Sequence, residues 1–368
     1  MRRVALVSPY ALSVPGGVQE QILSMSRELS RRGHEVLVLS PDESDVAHYD
    51  TPASVLRLGR LASVPANGSR APLTLSWSAS RRARAALASF GATLVHFHEP
   101  FAPVLGWSSL WAHRIPAVGT LHRAGVGPAI SLTRPLLRAL SKRVDVLAAV
   151  SAAAASTWSA PAGVDPVVLF NGFELERFVE PARRVPERPS VLFVGRFEER
   201  KGASDVLRAV QIHNATHPAD PWNLVLAGDG PQRATLEALA GDDEHVSLPG
   251  AVSDEHKRDL LRSASVAVAA STHGESFGLV VLEPMAAGVP VVASDIEGYR
   301  EAAGTQATFF RAGDPRSLEA AVREALATAS PQRVLAARAH AERWSMSALM
   351  DAYEDLYARA EVLFGRLR

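Results

Sequence analysis

The stretch Val191-Leu192-Phe193-Val194-Gly195-Arg196-Phe197-Glu198-Glu199-Arg200-Lys201-Gly202 decides the fold. Its first four apolar residues read as a buried strand, Gly195 as a turn, and Lys201-Gly202 as the approach to a helix. Cations set between a strand and the next helix stand where open α/β sheets bind their ligands. The pattern repeats downstream, where Leu224 to Ala227, Val246 to Leu248, Val266 to Ala269 and Val289 to Val292 read as strands, each followed by a helical segment. Upstream, Val4 to Val7, Val36 to Leu39, Leu94 to Phe97, Ala117 to Leu121, Val146 to Val150 and Val167 to Phe170 form an earlier series. Gly33-His34 closes the first helix, and Ser151 is placed to cap the Ala-rich one beginning at Ala152. The expected fold class is α/β: two doubly wound, Rossmann-like domains facing each other across a cleft.

A chain of 368 residues exceeds what one hydrophobic core usually supports. Three prolines and no hydrophobic period mark 181–189 as the linker. The expected domains are therefore 1–180 and 190–344, with 345–368 a closing amphipathic helix. Apolar residues at 47% and charged residues at 21% are ordinary for a globular protein. A net charge of +0 removes the basic field of a dedicated nucleic-acid binder, so no nucleic-acid partner is expected. The absence of cysteine excludes disulfides, thiolate metal sites and a cysteine nucleophile, and permits a cytoplasmic location. The apolar run after Arg2-Arg3 is too short for a signal peptide, and no apolar stretch reaches about 18 uncharged residues, so no spanning helix is expected.

Three loops carry chemistry. Ser8-Pro9-Tyr10 through Pro15-Gly16-Gly17-Val18-Gln19 runs from the first strand into a helix. Paired glycines admit close backbone approach, and a helix start favours an anion. Alone, this is equally an ordinary tight turn, and no G-x-G-x-x-G dinucleotide fingerprint occurs anywhere. Arg196 and Lys201 offer a bidentate fork and a point charge to a departing diphosphate. Finally, Glu275 and Glu283 stand eight apart in His273-Gly274-Glu275-Ser276-Phe277-Gly278-Leu279-Val280-Val281-Leu282-Glu283. Carboxylates there suit sugar or ribose hydroxyls, and the N–H groups of Phe277, Gly278 and Leu279 suit a phosphate. Glu283, set among apolar residues, requires a partner.

The Gly-Gly loop, the G-R-F-x-x-x-K-G segment and the E-x7-E segment, in this order along nearly the whole chain, resemble the family-four retaining glycosyltransferases of GT-B fold. The first loop, His96-Phe97-His98-Glu99-Pro100 and Pro65-Ala66-Asn67-Gly68-Ser69 resemble more closely the bacterial phosphatidyl-myo-inositol α-mannosyltransferases, which transfer mannose from GDP-mannose to a lipid at the inner membrane face. The resemblance implies that Gly17, Arg196 and Lys201 hold the distal phosphate, Glu283 the ribose and Glu275 the transferred sugar. It implies His122 near the breaking bond, and Val252 and Lys257 at the base, with Lys257 favouring GDP over UDP. Tyr10, Gln19, Asn67 and Ser69 would meet an inositol-phosphate acceptor, and Arg123 would supply a charge that the inositol enzymes place slightly later. Catalytic work would fall to His122, Arg196, Lys201 and Glu275, and the last helix would cross back onto the first domain.

No Asp-x-Asp occurs, so no metal or other tightly bound cofactor is expected and side chains must supply the charge. His213 and His217, four apart on a helix, read as a surface pair rather than a metal site, since their motif holds no acidic partner. Arg81, Arg82 and Arg84, between Trp77 and Phe90, could rest on an anionic bilayer, each cation contributing about 1 kcal/mol, or could be merely solvated. The alternatives are a UDP-sugar-dependent transferase with another glycolipid or soluble acceptor, a nucleotide-sugar epimerase of the same fold, and a non-catalytic sugar-nucleotide binder.

Overall fold

The structure, a computed structural model, describes residues 1–14, 16–42, 49–59, 62–66, 69–73, 77–102, 107, 110, 113–123, 129–179, 186–275 and 278–366; at 62–66, 69–73, 77–80 and 129–132 it describes the backbone alone. The chain divides into two compact units, Met1–Gly172 with Met346–Arg368, and Phe173–Ser345.

In the first unit the parallel strands are β1 (Arg3–Val7), β2 (Glu35–Ser40), β3 (Ser54–Arg57), β6 (Leu94–His98), β7 (Ala117–Leu121), β8 (Val146–Ala149) and β9 (Val167–Val168). They lie in the order β3-β2-β1-β6-β7-β8-β9, and β4 (Ala62–Ala66) pairs with β5 (Ser69–Leu73) as a separate antiparallel hairpin. The order reverses between β1 and β6, so the chain leaves that point in opposite directions and opens a crevice beyond the strand ends. On one face, Ile22, Met25 and Leu29 of the helix Gly17–Arg31 recur at helical spacing and are fully buried. They share a core with Val4, Leu6, Val118 and with Leu349, Met350, Tyr353 and Tyr357 of the last helix, Met346–Arg366. Arg32 ties the two helices, reaching Asp351 at 2.7 Å and Glu354 at 3.2 Å.

The second unit holds β10 (Ser190–Val194), β11 (Asn223–Ala227), β12 (Val246–Gly250), β13 (Val266–Ala269), β14 (Val291–Ser294) and β15 (Thr308–Phe310) in the order β12-β11-β10-β13-β14-β15, again all parallel. Its reversal lies between β10 and β13. Strand β10 is therefore central, which accounts for its continuous apolar run: Val191, Leu192 and Phe193 are buried on both faces.

Ser151 caps the helix Ala152–Ala162, accepting from Ala154 N–H at 3.1 Å. The division between units falls at Gly172/Phe173, ahead of the Pro-rich stretch 181–189, because Phe173 and Phe178 already pack into the second core. Part of that stretch, with residue 180, lies outside the described residues. Strands β3 and β15 and the hairpin were not expected. β3 is a half-exposed edge and β15 only three residues long, so neither carries a buried apolar run. Among the described residues no helix is long and apolar enough to cross a membrane.

Candidate active site

At the reversal point of the second sheet, the chain leaving β10 turns at Gly195, whose N–H donates to Ala227 O at 3.0 Å. The Arg196 side chain is 70% exposed and pairs with Glu198 at 3.2 Å. A 3₁₀ turn, Glu199–Lys201, follows and ends at Gly202 with φ +72°. A Cβ on Gly202 would stand 2.2 Å from Ala270 O, so only glycine lets this turn lie against the end of β13. The contact delivers Lys201, only 18% exposed, to Oε1 of Glu275, with Arg200 reaching the same oxygen at 3.3 Å. Arg200 also holds Glu198 at 3.1 Å. Ser271 Oγ donates to Glu275 Oε1 at 3.0 Å, and the Tyr299 hydroxyl donates to Ser271 Oγ at 2.9 Å.

The helix Leu279–Ala286 starts beside this cluster at Gly278, in the left-handed region, and among the described residues no side chain caps its first N–H groups. Such a start is suited to an anion. Glu283 stands just over one turn in, closer to the helix start than the two turns expected, and its partner is Lys257 at 2.9 Å. Lys257 lies on the helix Asp254–Ser263, which Ser253 caps, and its Nζ sits 5.5 Å from the Phe178 ring centre. Val252, half-buried, precedes that cap.

Next to the reversal point of the first sheet, the ends of β6 and β7 bring four ionisable residues together. His122 Nε2 and His98 Nδ1 share a hydrogen bond at 3.0 Å, and the His98 ring stacks on His96 at 4.6 Å. His96 bonds Tyr357 OH at 2.9 Å and Thr120 Oγ1 at 2.7 Å. The backbone N–H groups of His122 and Arg123 both donate to Glu99 Oε1, each at 2.6 Å. Burial drives His96 and His122 down to about 3, and His98 well below its ordinary value, so all three rings are neutral near pH 7. Burial has the opposite effect on Glu99, pushing it up to about 7 against the two backbone bonds and the Arg123 charge. Tyr10, at the end of β1, is raised by its burial and by Glu99. Gln19 is buried and lies over Gly16, where a Cβ would meet its Oε1 at 2.5 Å, whereas a Cβ on Gly17 would meet nothing within 4 Å.

Residues 15–177 match the sequence profile described as Glycosyltransferase Family 4, and 176–342 that described as Glycosyl transferases group 1. A phosphatidyl-myo-inositol mannosyltransferase of Mycobacterium leprae is 34% identical over 369 residues, covering 96% of each chain. The chain belongs to the family-four glycosyltransferases. Among solved structures, a glycosyltransferase of Rickettsia africae superposes with a TM-score of 0.76 at 16% identity, covering 98% of each chain. The Anabaena protein HepE, solved with UDP and glucose, superposes with 0.68 at 17%, covering 97% of this chain and all of its own. This chain is accordingly a retaining glycosyltransferase with the GT-B pair of doubly wound units.

Within that family frame, the structure gathers Lys201 with Glu275, Glu283 with Lys257, and Tyr10, His122 and Arg123 around Glu99. It turns Arg196 toward Glu198 and solvent rather than onto Glu275. Asn67 and Phe277 lie outside the described residues, and of Ser69 only the backbone is described, paired with Ala66. Arg200, Ser271, Tyr299 and Glu99 were missed. Arg200 adjoins Lys201 and Glu99 lies in the quoted His-Phe-His-Glu-Pro string, so both were findable. Ser271 and Tyr299 come from separate elements and carry no local signal.

The reading of His213 and His217 as a surface pair needs correction. His213 is buried and finds Glu319, from the distant helix Pro315–Ala327, at 3.1 Å. Those three ligand-type groups lie within 4.8 Å of one another. However, the two imidazoles are stacked 4.5 Å apart at 10°, and His213 also stacks on Trp222 at 3.5 Å. Parallel stacked rings direct their lone pairs in separate planes, and Arg323 already reaches Glu319 at 3.3 Å. This geometry suits an aromatic stack with a satisfied carboxylate better than a metal centre.

Proposed function

We propose that the protein transfers mannose from GDP-mannose to an inositol phospholipid with retention of configuration. The observation that carries the donor half is the convergence of Lys201 and Arg200 on Glu275 beside the helix start at Gly278. A nucleoside diphosphate leaves with concentrated negative charge, and fixed cations and N–H groups stabilise it without reorganising. Lys201 and Arg196 would neutralise the distal phosphate, with Gly17 offering its N–H. Glu275 would take sugar hydroxyls and Glu283 the ribose diol, each as an acceptor. Val252 and Lys257 would lie at the base, Lys257 toward a guanine carbonyl.

On the acceptor side the reading assigns Tyr10, Gln19, Asn67, Ser69 and Arg123 to the inositol phosphate. His122, neutral near pH 7, would donate to or accept from a hydroxyl of the transferred sugar without adding a charge. Attack from the leaving-group side would let the departing phosphate oxygen take the acceptor proton, so no protein nucleophile is required. The inositol-lipid relatives support the choice of sugar and acceptor. A lipid acceptor implies work at the inner face of the membrane, where Arg81 and Arg84, exposed on the helix Trp77–Phe90, would meet anionic headgroups. Arg82 on the same helix donates to Leu58 O.

The test is transfer of labelled mannose from GDP-mannose to phosphatidylinositol vesicles, alongside a thermal-shift panel of GDP, UDP and ADP sugars. A donor that binds the folded protein raises its melting temperature. Transfer from GDP-mannose, with GDP sugars giving the largest shift, supports the proposal. A larger shift with UDP sugars overturns the mannosyl assignment, and sugar turnover without an acceptor turns the reading to an epimerase.

A further inference from the structure

We infer that Glu99 is a positioning residue of the transfer reaction, its carboxylate holding the His122-Arg123 backbone and thereby fixing where the His122 ring meets the sugar. The inference rests on the reading of His122 as a sugar contact. The Glu99 oxygen Oε1 is engaged by two backbone N–H groups.

One oxygen, Oε1, accepts both the His122 and the Arg123 N–H at 2.6 Å, the short geometry of charge-assisted bonds. Those N–H groups are the first two beyond the end of β7, where the strand ladder no longer supplies partners. Glu99 is anchored in turn, its N–H donating to Thr120 O at 2.8 Å and its carbonyl accepting from Ala102 at 2.9 Å. Its φ of +49° is the only positive value at a non-glycine among the described residues. A side chain in that region persists only where its surroundings over-determine it, and such strain gathers at functional sites. Here the left-handed turn swings the carboxylate from the end of β6 toward β7.

The ring of His122 has a second support. His98 Nδ1 bonds its Nε2, and His98 stacks on His96, which Tyr357 and Thr120 grip. Backbone held by Glu99 and ring held by His98 leave Nδ1 as the nitrogen that His98 does not use. Protonating Glu99 removes the charge from both bonds to the 122–123 backbone. The groups facing it are His98, His122, Tyr10 and Arg123; burial holds the two histidines far below neutral and raises Tyr10, whereas Glu99 is pushed up to about 7. A pH change across neutrality therefore acts on Glu99.

The experiment compares wild type, Glu99→Gln and His122→Ala by kcat and donor KM between about pH 6 and 8. Wild-type kcat is expected to rise with pH through about 7. Glu99→Gln, isosteric but uncharged, is expected to lose about 10²-fold in kcat at the upper end, the scale of a misplacement near 1 Å, to lose the pH limb, and to keep its donor KM. A merely structural role would lower the melting temperature and leave the limb in place. Glu99→Gln retaining both turnover and limb, while His122→Ala is inactive, overturns the positioning role and spares the His122 reading. Full turnover in His122→Ala overturns that reading and the inference with it. If Glu99→Gln fails to fold, the wild-type profile decides, and a flat one overturns the inference.

Discussion

Gly202 touches no substrate on any reading, yet the geometry makes it one of the most sensitive positions in the second unit. A Cβ there would lie 2.2 Å from Ala270 O, where real contacts essentially never fall below 3.0 Å, so Gly202→Ala must open the contact by at least 0.8 Å (3.0 − 2.2 Å). The left-handed φ of +72° adds about 1–2 kcal/mol for any side chain, and overpacking against backbone adds about 1–3 kcal/mol. The sum is about 2–5 kcal/mol, which in a unit of this size lowers its melting temperature by about 4–20 °C. Gly313→Ala is the control: φ is +74° in the same unit, but a Cβ there meets nothing within 4 Å. Its cost is the conformational term alone, about 2–8 °C. The displaced residues include Lys201, so, with Lys201 in its proposed role, turnover in Gly202→Ala should also fall about 10²-fold, because a shift near 1 Å is enough to misalign a reacting group. Calorimetry of both variants beside a transfer assay decides the matter. Gly202→Ala melting no lower than Gly313→Ala, or turning over at the wild-type rate, refutes the close-approach reasoning.

Lys201→Ala should lose about 10²–10³ in kcat, the scale of one donor to developing charge, and near-normal turnover would remove its assigned role. Glu275→Gln should also turn over slowly, yet isothermal titration should show GDP binding about fivefold tighter, because Lys201 and Arg200 no longer pair with a carboxylate; unchanged affinity counts against a phosphate role for that pair. Asp42 accepts from the N–H groups of Leu12 and Ser13 at 3.0 Å; Leu12 N–H also reaches Ser40 Oγ at 3.2 Å, so Asp42→Ala orphans the Ser13 N–H and should cost about 1–3 kcal/mol, read from urea midpoints. Burial alone would raise the Asp42 carboxyl, but hydrogen bonds from Ser13 and Ser40 hold it below its ordinary value. Its stabilisation is therefore present above the ordinary carboxylate range and lost as pH falls through and below it, and Asp42→Ala should flatten that acid limb. Tyr357→Phe should cost about 1 kcal/mol by removing the hydroxyl from His96 Nδ1, measured in the same way.

How much of this was legible in the sequence follows from which forces act locally. Central strands β1, β10 and β13 were readable because burial on both faces demands continuous apolar runs. β3 and β15, at the sheet edges, are under no such demand, and the last helix showed its apolar face, while only the family resemblance told that it would cover the first unit. The unit boundary was misplaced for a related reason. Prolines mark where chain is irregular, whereas Phe173 and Phe178 belong to the second unit because of a core they meet only after folding.

The site divides along the same line. Glycines at 17, 202 and 278, and the cations and carboxylates beside them, were legible because a tight turn between a strand and a helix writes its requirements into consecutive residues. Which charge faces which was not. Arg196 looked equivalent to Lys201, but the 3₁₀ turn places Arg200 and Lys201 on Glu275 and leaves Arg196 with Glu198, a difference set by Gly202 packing on Ala270 rather than by the motif. The same holds for Glu99. Its carboxylate acts on residues 23 and 24 positions downstream, an adjacency created by parallel pairing of β6 with β7, whose strand ends only the folded sheet brings together. Sequence thus reveals groups that must approach a ligand, while the groups that aim them are chosen by topology.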